Sequence, residues 1–178
     1  MNRTPLQYIL GLGSNLGERA ELLAQAIAYL KEAPGVSILA ISEAVDSDPV
    51  GHVDQPDFLN LCLALSCELN PDELLAQTME IERRLGRKRT ANRNGPRTLD
   101  IDLLFYEGGA WESPAVTLPH PRWSSRGFVI LPLRNLLQDT ALAKHPAWGS
   151  LAAEVRALPV GDHGLRPWLG PTPWSKTP

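Results

Sequence analysis

Apolar positions recur along this chain with two different periods, and the switches between them lay out the elements. A short apolar run over residues 6–12, ending in glycines, predicts a buried strand. Leu22, Leu23, Ala26, Ile27 and Leu30 then share one face of a helix that runs to about Glu32 and stops at Pro34-Gly35. Residues 36–45 are rich in β-branched and apolar types and predict a second strand. A polar loop with Pro and Gly follows over residues 46–57, and residues 58–69 predict a third strand. Asn70-Pro71-Asp72-Glu73 is a helix start, with Asn as cap, Pro at the first position and Glu at the third. Leu74, Leu75, Thr78, Ile81 and Leu85 give that helix its buried face, and Gly86 ends it. Residues 98–106 form a fourth strand. Residues 128–137 are apolar, and residues 150–158 predict a short helix.

The order strand, helix, strand, strand, helix, strand predicts an α+β fold. It is the ferredoxin-like βαββαβ core, a mostly antiparallel sheet buried under two helices, plus a C-terminal extension. A single domain is expected over 1–158. Residues 159–178 carry Pro, Gly and Trp without periodicity and are expected as an extended tail, either packed by Trp168 or Trp174 or partly disordered. Residues 11–17, Gly-Leu-Gly-Ser-Asn-Leu-Gly, are read as a strand–helix turn in which Ser14 or Asn15 caps the helix. Their spacing departs from the dinucleotide-binding fingerprint, and the strand–helix alternation of a doubly wound sheet is missing.

Charge sharpens one stretch. Glu82 to Tyr106 reads ERRLGRKRTANRNGPRTLDIDLLFY. Its basic loop holds Arg87, Lys88, Arg89, Arg93 and Arg97, while Arg83 and Arg84 are read as solvated helix-face charges. In Leu99-Asp100-Ile101-Asp102-Leu103 the period is two, so both aspartates look one way and the apolar residues the other. The carboxylates are borne by backbone positions about 6.6 Å apart, from a rise of ~3.3 Å per residue. A cation, or the neighbouring arginines, must neutralise them. The pair suits hard cations held jointly with phosphates, and equally suits a solvated strand face. The arginines suit phosphate oxygens. His120, held by Pro121 and close to Arg122 and Arg126, is a general base, an anion donor or a turn residue. Phe58 and Asn60 share a strand face, which fits a flat heterocycle or a core position beside a turn. His52 and His163 stand in no constellation.

Composition narrows the class. The 178 residues are 43% apolar and carry a net charge of −3, which argues against a general nucleic-acid or membrane-surface protein. Cys62 and Cys67 differ in strand parity, so they face opposite sides and do not pair; they are read as buried thiols in a reducing compartment. The first residues lack a signal-peptide pattern, and no stretch is long enough to span a membrane. The expected location is the cytoplasm.

Together these motifs resemble the 6-hydroxymethyl-7,8-dihydropterin pyrophosphokinase family of folate enzymes. The resemblance covers roughly residues 6–137. It rests on Gly13-Ser14-Asn15, on Asp48-Pro49-Val50-Gly51 with Asp54-Gln55-Pro56-Asp57-Phe58-Leu59-Asn60, and on Gly86-Arg87-x-Arg89. It continues in Gly95-Pro96-Arg97-Thr98-Leu99-Asp100-Ile101-Asp102 and in Pro119-His120-x5-Arg126-Gly127-Phe128.

The resemblance implies a catalytic domain that transfers pyrophosphate from ATP, its co-substrate, to the pterin hydroxymethyl group and releases AMP. It implies two Mg2+ ions on Asp100 and Asp102, with Arg87 and Arg97 holding the phosphates. It implies ATP contacts at Glu82, Arg89, Leu103, Thr117, His120 and Arg126. Ser47, Pro49, Val50, Phe58, Asn60 and Phe128 match the pterin pocket, with the two phenylalanines stacking on the ring faces. Residues 46–57 and 87–94 match closing loops. Asn94 stands where the family commonly has an aromatic residue, Met79 where a polar one is frequent, and Ser47 where threonine is. The expected partners are the two small-molecule substrates, with no nucleic acid and no membrane, and the expected state is a monomer. A non-catalytic nucleotide- or pterin-binding module and an RNA-binding domain are the competing readings. Retention of both aspartates and the arginines weighs against the first, and the lack of an aromatic stacking pair on a central strand against the second.

Overall fold

The computed structural model describes residues 3–50, 54–88, 95–161 and 163–174. In chain order the elements are β1 (Leu6–Ser14), α1 (Arg19–Glu32), β2 (Ser37–Ile41), β3 (Val45–Ser47), β4 (Phe58–Cys67), α2 (Pro71–Arg84) and β5 (Asp100–Tyr106). A small hairpin of β6 (Trp111–Glu112) and β7 (Thr117–Leu118) precedes α3 (Gly127–Leu136), α4 (Thr140–Ala143), α5 (Pro146–Ala157) and β8 (Arg166–Pro167). The main sheet runs β5-β1-β4-β3-β8, with β2 also paired to β4, and every described pairing is antiparallel. The fold is α+β.

Strand parity sorts side chains into two cores. Tyr8, Leu10 and Leu12 of β1, Leu61, Leu63 and Leu65 of β4, and Ile101 and Leu103 of β5 pack under α1 and α2. Ile9, Cys62, Ala64 and Phe105 point the other way and pack against α3 and α5 through Val129, Ile130, Leu133, Trp148, Leu151 and Val155. The sequence predicts one helical layer; the structure has helices on both faces. The apolar stretch near residue 130 is a helix whose buried residues cover the second face, and α5 begins at Pro146, earlier than expected. A strand covered on both sides is apolar almost throughout, as β4 is. Cys62 and Cys67 lie in opposite cores, as their parity requires, and both are free thiols.

Two boundaries differ from expectation. The single strand over residues 36–45 is divided, because Ser42 turns inward: its hydroxyl accepts from Cys62 N at 2.9 Å. Its own N–H donates to the Cys62 carbonyl at 2.9 Å. The pairing then resumes as β3, which reaches Ser47. Gly11, Gly13 and Ser14 belong to β1, not to a turn. Neither Ser14 nor Asn15 caps α1; its N-cap is Glu18, without a side-chain bond, after a turn in which Gly17 takes φ +67°. The start of α2 matches the sequence. Asn70 Oδ1 accepts from Glu73 N at 3.0 Å, and Glu73 Oε2 accepts from Asn70 N at 2.8 Å. Arg83 and Arg84 pair with Glu80 on the exposed side of α2.

Candidate active site

The site is built on the α3 side of the sheet, where β1 lacks side chains. Gly11 lies between Cys62 of β4 and Asp102 of β5, and Gly13 between Asn60 and Asp100. A Cβ on Gly13 would come within 3.1 Å of Asn60 Oδ1, and one on Gly11 within 3.3 Å of Leu104 Cδ1. Glycine at these two positions therefore leaves a floor of bare backbone. Above it opens a cavity of about 220 Å3.

One end of the cavity is aromatic and polar. Phe58, Phe128, Val50 and Asn60 line it together with Ser47 and Asp48. Asn60 and Ser47 are buried, and Asn60 Nδ2 donates to Ser47 Oγ at 2.9 Å. The other end is charged, with Arg97, Arg122 and Arg126 around Asp100 and Asp102. Arginines link the ends: Arg97 lies 5.2 Å above the Phe58 ring and Arg126 5.7 Å above that of Phe128.

The two aspartates face the cavity and are matched by guanidiniums. Asp100 Oδ1 accepts from Arg87 Nη1 at 2.5 Å, and its Oδ2 pairs with Arg97 Nη2 at 2.9 Å. Asp102 Oδ2 accepts from Arg126 Nη1 at 3.0 Å. The sequence required cationic neutralisation of this pair, and in the structure arginines supply it. Glu82 is buried and stands behind them. Its Oε1 accepts from Ile101 N at 2.8 Å and from Arg87, tying the end of α2 to β5. Burial opposes the charge on Arg87, but Asp100 and Glu82 outweigh it, so the guanidinium holds its proton more tightly than usual.

His120 is placed by backbone. Its N–H donates to Leu104 O at 2.8 Å, at a point where β5 skips a residue against β1. Its Nδ1 accepts from Arg122 N at 3.1 Å, so in the neutral ring Nε2 carries the proton. Burial lowers its pKa below the usual range; Asp102 opposes this, and Arg126 and Arg122 add to it. Burial also raises the Cys62 thiol pKa, which makes it an inert part of the floor.

Not every expected residue meets the cavity. The Leu103 side chain packs in the core under α1 and α2, which leaves only its backbone to face a ligand. Thr117 is exposed on β7, and Pro49 is half-buried beside Val50. Arg89, Asn94 and His52 lie outside the described residues. Met79 is exposed on α2.

Two residues gain roles that their sequence context did not give. Asn15, expected as a cap, is buried and joins two loops. Its Nδ2 donates to Gln55 Oε1 and Pro56 O, both at 3.0 Å, and its Oδ1 accepts from Arg97 N at 2.7 Å. His163 lines the cavity, edge-on to Phe128 at 6.1 Å. Its partners lie far away in sequence, so no local spacing could have flagged it.

Comparison with known proteins identifies the family. A profile for the family described as 7,8-dihydro-6-hydroxymethylpterin-pyrophosphokinase (HPPK) matches residues 9–138. The chain is similar to the 2-amino-4-hydroxy-6-hydroxymethyldihydropteridine pyrophosphokinase of Bacillus subtilis, 42% identical over 159 residues, or 89% of this chain and 88% of that one. It is also similar to the protein of the same name from Methylorubrum extorquens, 40% identical over 143 residues, or 80% of this chain and 90% of that one. Two crystal structures of Plasmodium falciparum HPPK-DHPS superpose with TM-scores of 0.59 and 0.62 at 13% and 12% identity. These cover 85% and 93% of this chain but 44% and 49% of theirs, and speak to the fold alone. The chain belongs to the 7,8-dihydro-6-hydroxymethylpterin-pyrophosphokinase family.

Proposed function

We propose that this chain transfers pyrophosphate from ATP to the hydroxymethyl group of 6-hydroxymethyl-7,8-dihydropterin, a step of folate biosynthesis, at the glycine-floored cavity. The hydroxymethyl oxygen bonds to the β-phosphorus of ATP, the bond from that phosphorus to the α–β bridging oxygen breaks, and AMP leaves. The observation that carries the reading is the pair Asp100 and Asp102 on one strand face, at the junction between an aromatic slot and a cluster of arginines.

The donor set fits Mg2+. Among the described residues no group of three His, Cys, Asp or Glu forms a cage. Two carboxylates alone suit a cation that takes its remaining ligands from phosphates and water. Bound there, two Mg2+ ions would neutralise phosphate charge and lower the pKa of the attacking hydroxyl. Phe58 and Phe128 sandwich the heterocycle, while Asn60 and Ser47 meet its polar edge. Arg87, Arg97 and Arg126, which clasp the aspartates here, are the donors for phosphate oxygens. Glu82 holds Arg87 in place. Neutral His120 offers Nε2–H to the nucleotide, and Leu103 and Thr117 flank its path. Pro49 and Val50 contribute the loop over the pterin.

The element order and strand sequence support a ferredoxin-like core. Free buried thiols support a reducing, cytoplasmic setting, and among the described residues no helix is long and apolar enough to cross a membrane. The chain is read as a monomer. The test is incubation with ATP, magnesium and the pterin, followed by mass spectrometry. AMP and pterin diphosphate should appear together, and neither without magnesium. ADP with a pterin monophosphate would overturn the reading.

A further inference from the structure

The C-terminal segment lies beyond the residues that the family profile matches, yet it reaches the cavity. It pairs as β8 with β3, through Val45 opposite Pro167 and Asp46 opposite Arg166. Just before β8 it crosses both walls of the aromatic end.

On one wall, Arg166 bridges the two ends of the β3–β4 loop. Its Nη1 meets Asp48 Oδ1 at 2.9 Å and its Nη2 meets Asp57 Oδ2 at 2.7 Å. Asp48 N also donates to His163 O at 2.9 Å. The crossing is so close that a Cβ on Gly164, at φ +57°, would sit 2.1 Å from the Asp48 carboxylate. On the other wall, a Cβ on Gly127 would sit 2.2 Å from Val160 O and 2.8 Å from His163 Nδ1. Gly127 opens α3 and directly precedes Phe128. His163 is therefore wedged between Asp48, just past the end of β3, and the helix start carrying Phe128. Its Nδ1 is buried with no hydrogen-bond partner among the described residues, and the residue lines the cavity.

We propose that this segment is a specificity element for the pterin: His163 is a wall of the slot that contacts the heterocycle, and Arg166 is a positioning residue that fixes the β3–β4 loop against it. A flat ring with donor and acceptor edges fits a slot bounded by Phe58, Phe128, Asn60 and an imidazole. The contacts of His163, Gly164 and Arg166 described above fall on the loop and the helix start that flank the aromatic end, at Asp48, Asp57, Gly127 and Phe128. The element should act on one substrate only. The proposal rests on assigning the aromatic end to the pterin.

The test is steady-state kinetics of His163→Ala, Arg166→Ala and Gly164→Ala, with Phe58→Ala as reference and melting curves confirming that each folds. The KM for the pterin should rise about tenfold in each, with the KM for ATP and kcat little changed. His163→Gln, which keeps a polar nitrogen, should recover much of the loss. If Arg166→Ala does not fold, Arg166→Lys, which keeps charge but not the two-pronged fork, serves instead. Unchanged pterin KM in the three tail variants beside a raised one in Phe58→Ala would overturn this proposal alone. Unchanged pterin KM in all four would overturn the slot assignment and the proposal with it. A parallel rise in both KM values would reduce the segment to general support.

Discussion

The two faces of strands β1, β4 and β5 are made from alternate residues of the same segments, yet they share almost no chemistry. Toward α1 and α2 the strands present Leu10, Leu12, Leu63, Ile101 and Leu103, all buried. Toward the cavity they present Gly11, Gly13, Asn60, Asp100 and Asp102. A period of two lets one backbone serve as core and as reaction platform, and the sealed face holds rigid what the open face must aim. Change on one face should read out in stability and on the other in turnover.

Several substitutions can break that division. The largest effect belongs to the open face. Asp100→Ala or Asp102→Ala should lower kcat about a thousandfold or more, with a urea midpoint close to that of the parent. An active double variant would sink the assignment of these carboxylates. Leu63→Ala, on the sealed face, should cost about 2–5 kcal/mol of stability in chemical denaturation, with kcat per folded molecule preserved. Removing Asn15 joins the two readouts: Asn15→Ala should cost about 1–3 kcal/mol for its unpaired buried partners and also lower kcat by displacing Arg97. Gly13→Ala sharpens the comparison by giving the open face one more carbon. It should raise the pterin KM about tenfold at a stability cost near 1 kcal/mol.

The smallest effect is a pH dependence. Burial holds the folded His120 pKa below its ordinary 6.5. As pH falls through about 6.5 the unfolded chain takes up that proton first, so stability must decline. Urea midpoints measured at about pH 7.5 and about pH 5.5 should fall further for the parent than for His120→Gln. An equal fall in both would mean that other groups govern the acid limb.

Where a property depended on spacing within one element, the sequence carried it. The facing of Asp100 and Asp102, the opposed cysteines and the Asn70 capping box all follow from periods of two or from adjacent residues. What depended on distant chain segments was not visible. Gly11 and Gly13 look like a turn until β4 and β5 are seen to pair on either side of them. Ser42 splits a strand because its hydroxyl finds Cys62 twenty residues away. The second helical layer was hidden because residues 128–137 are apolar on nearly every side, which erases the period that marks a helix. His163 entered the cavity through tertiary packing against Gly127, and no motif contains it.

The ends of the sheet also bear on how the molecule behaves in a crowd. Among the described residues, one rim is β5, the other is β8, and β2 is paired to β4 alone; a bare rim invites a neighbouring chain to add its own strand. The first rim is not bare: Ile101 N donates to Glu82 Oε1 and Leu104 O accepts from His120 N, both at 2.8 Å. The second is two residues long and ends in Pro167, which has no N–H to offer. Glu82, tied to Ile101 N, and the His120 turn on Leu104 O thus occupy the edge that an added strand would need. Glu82→Leu should free Ile101 N and show itself as clouding at high concentration, independently of any loss of turnover.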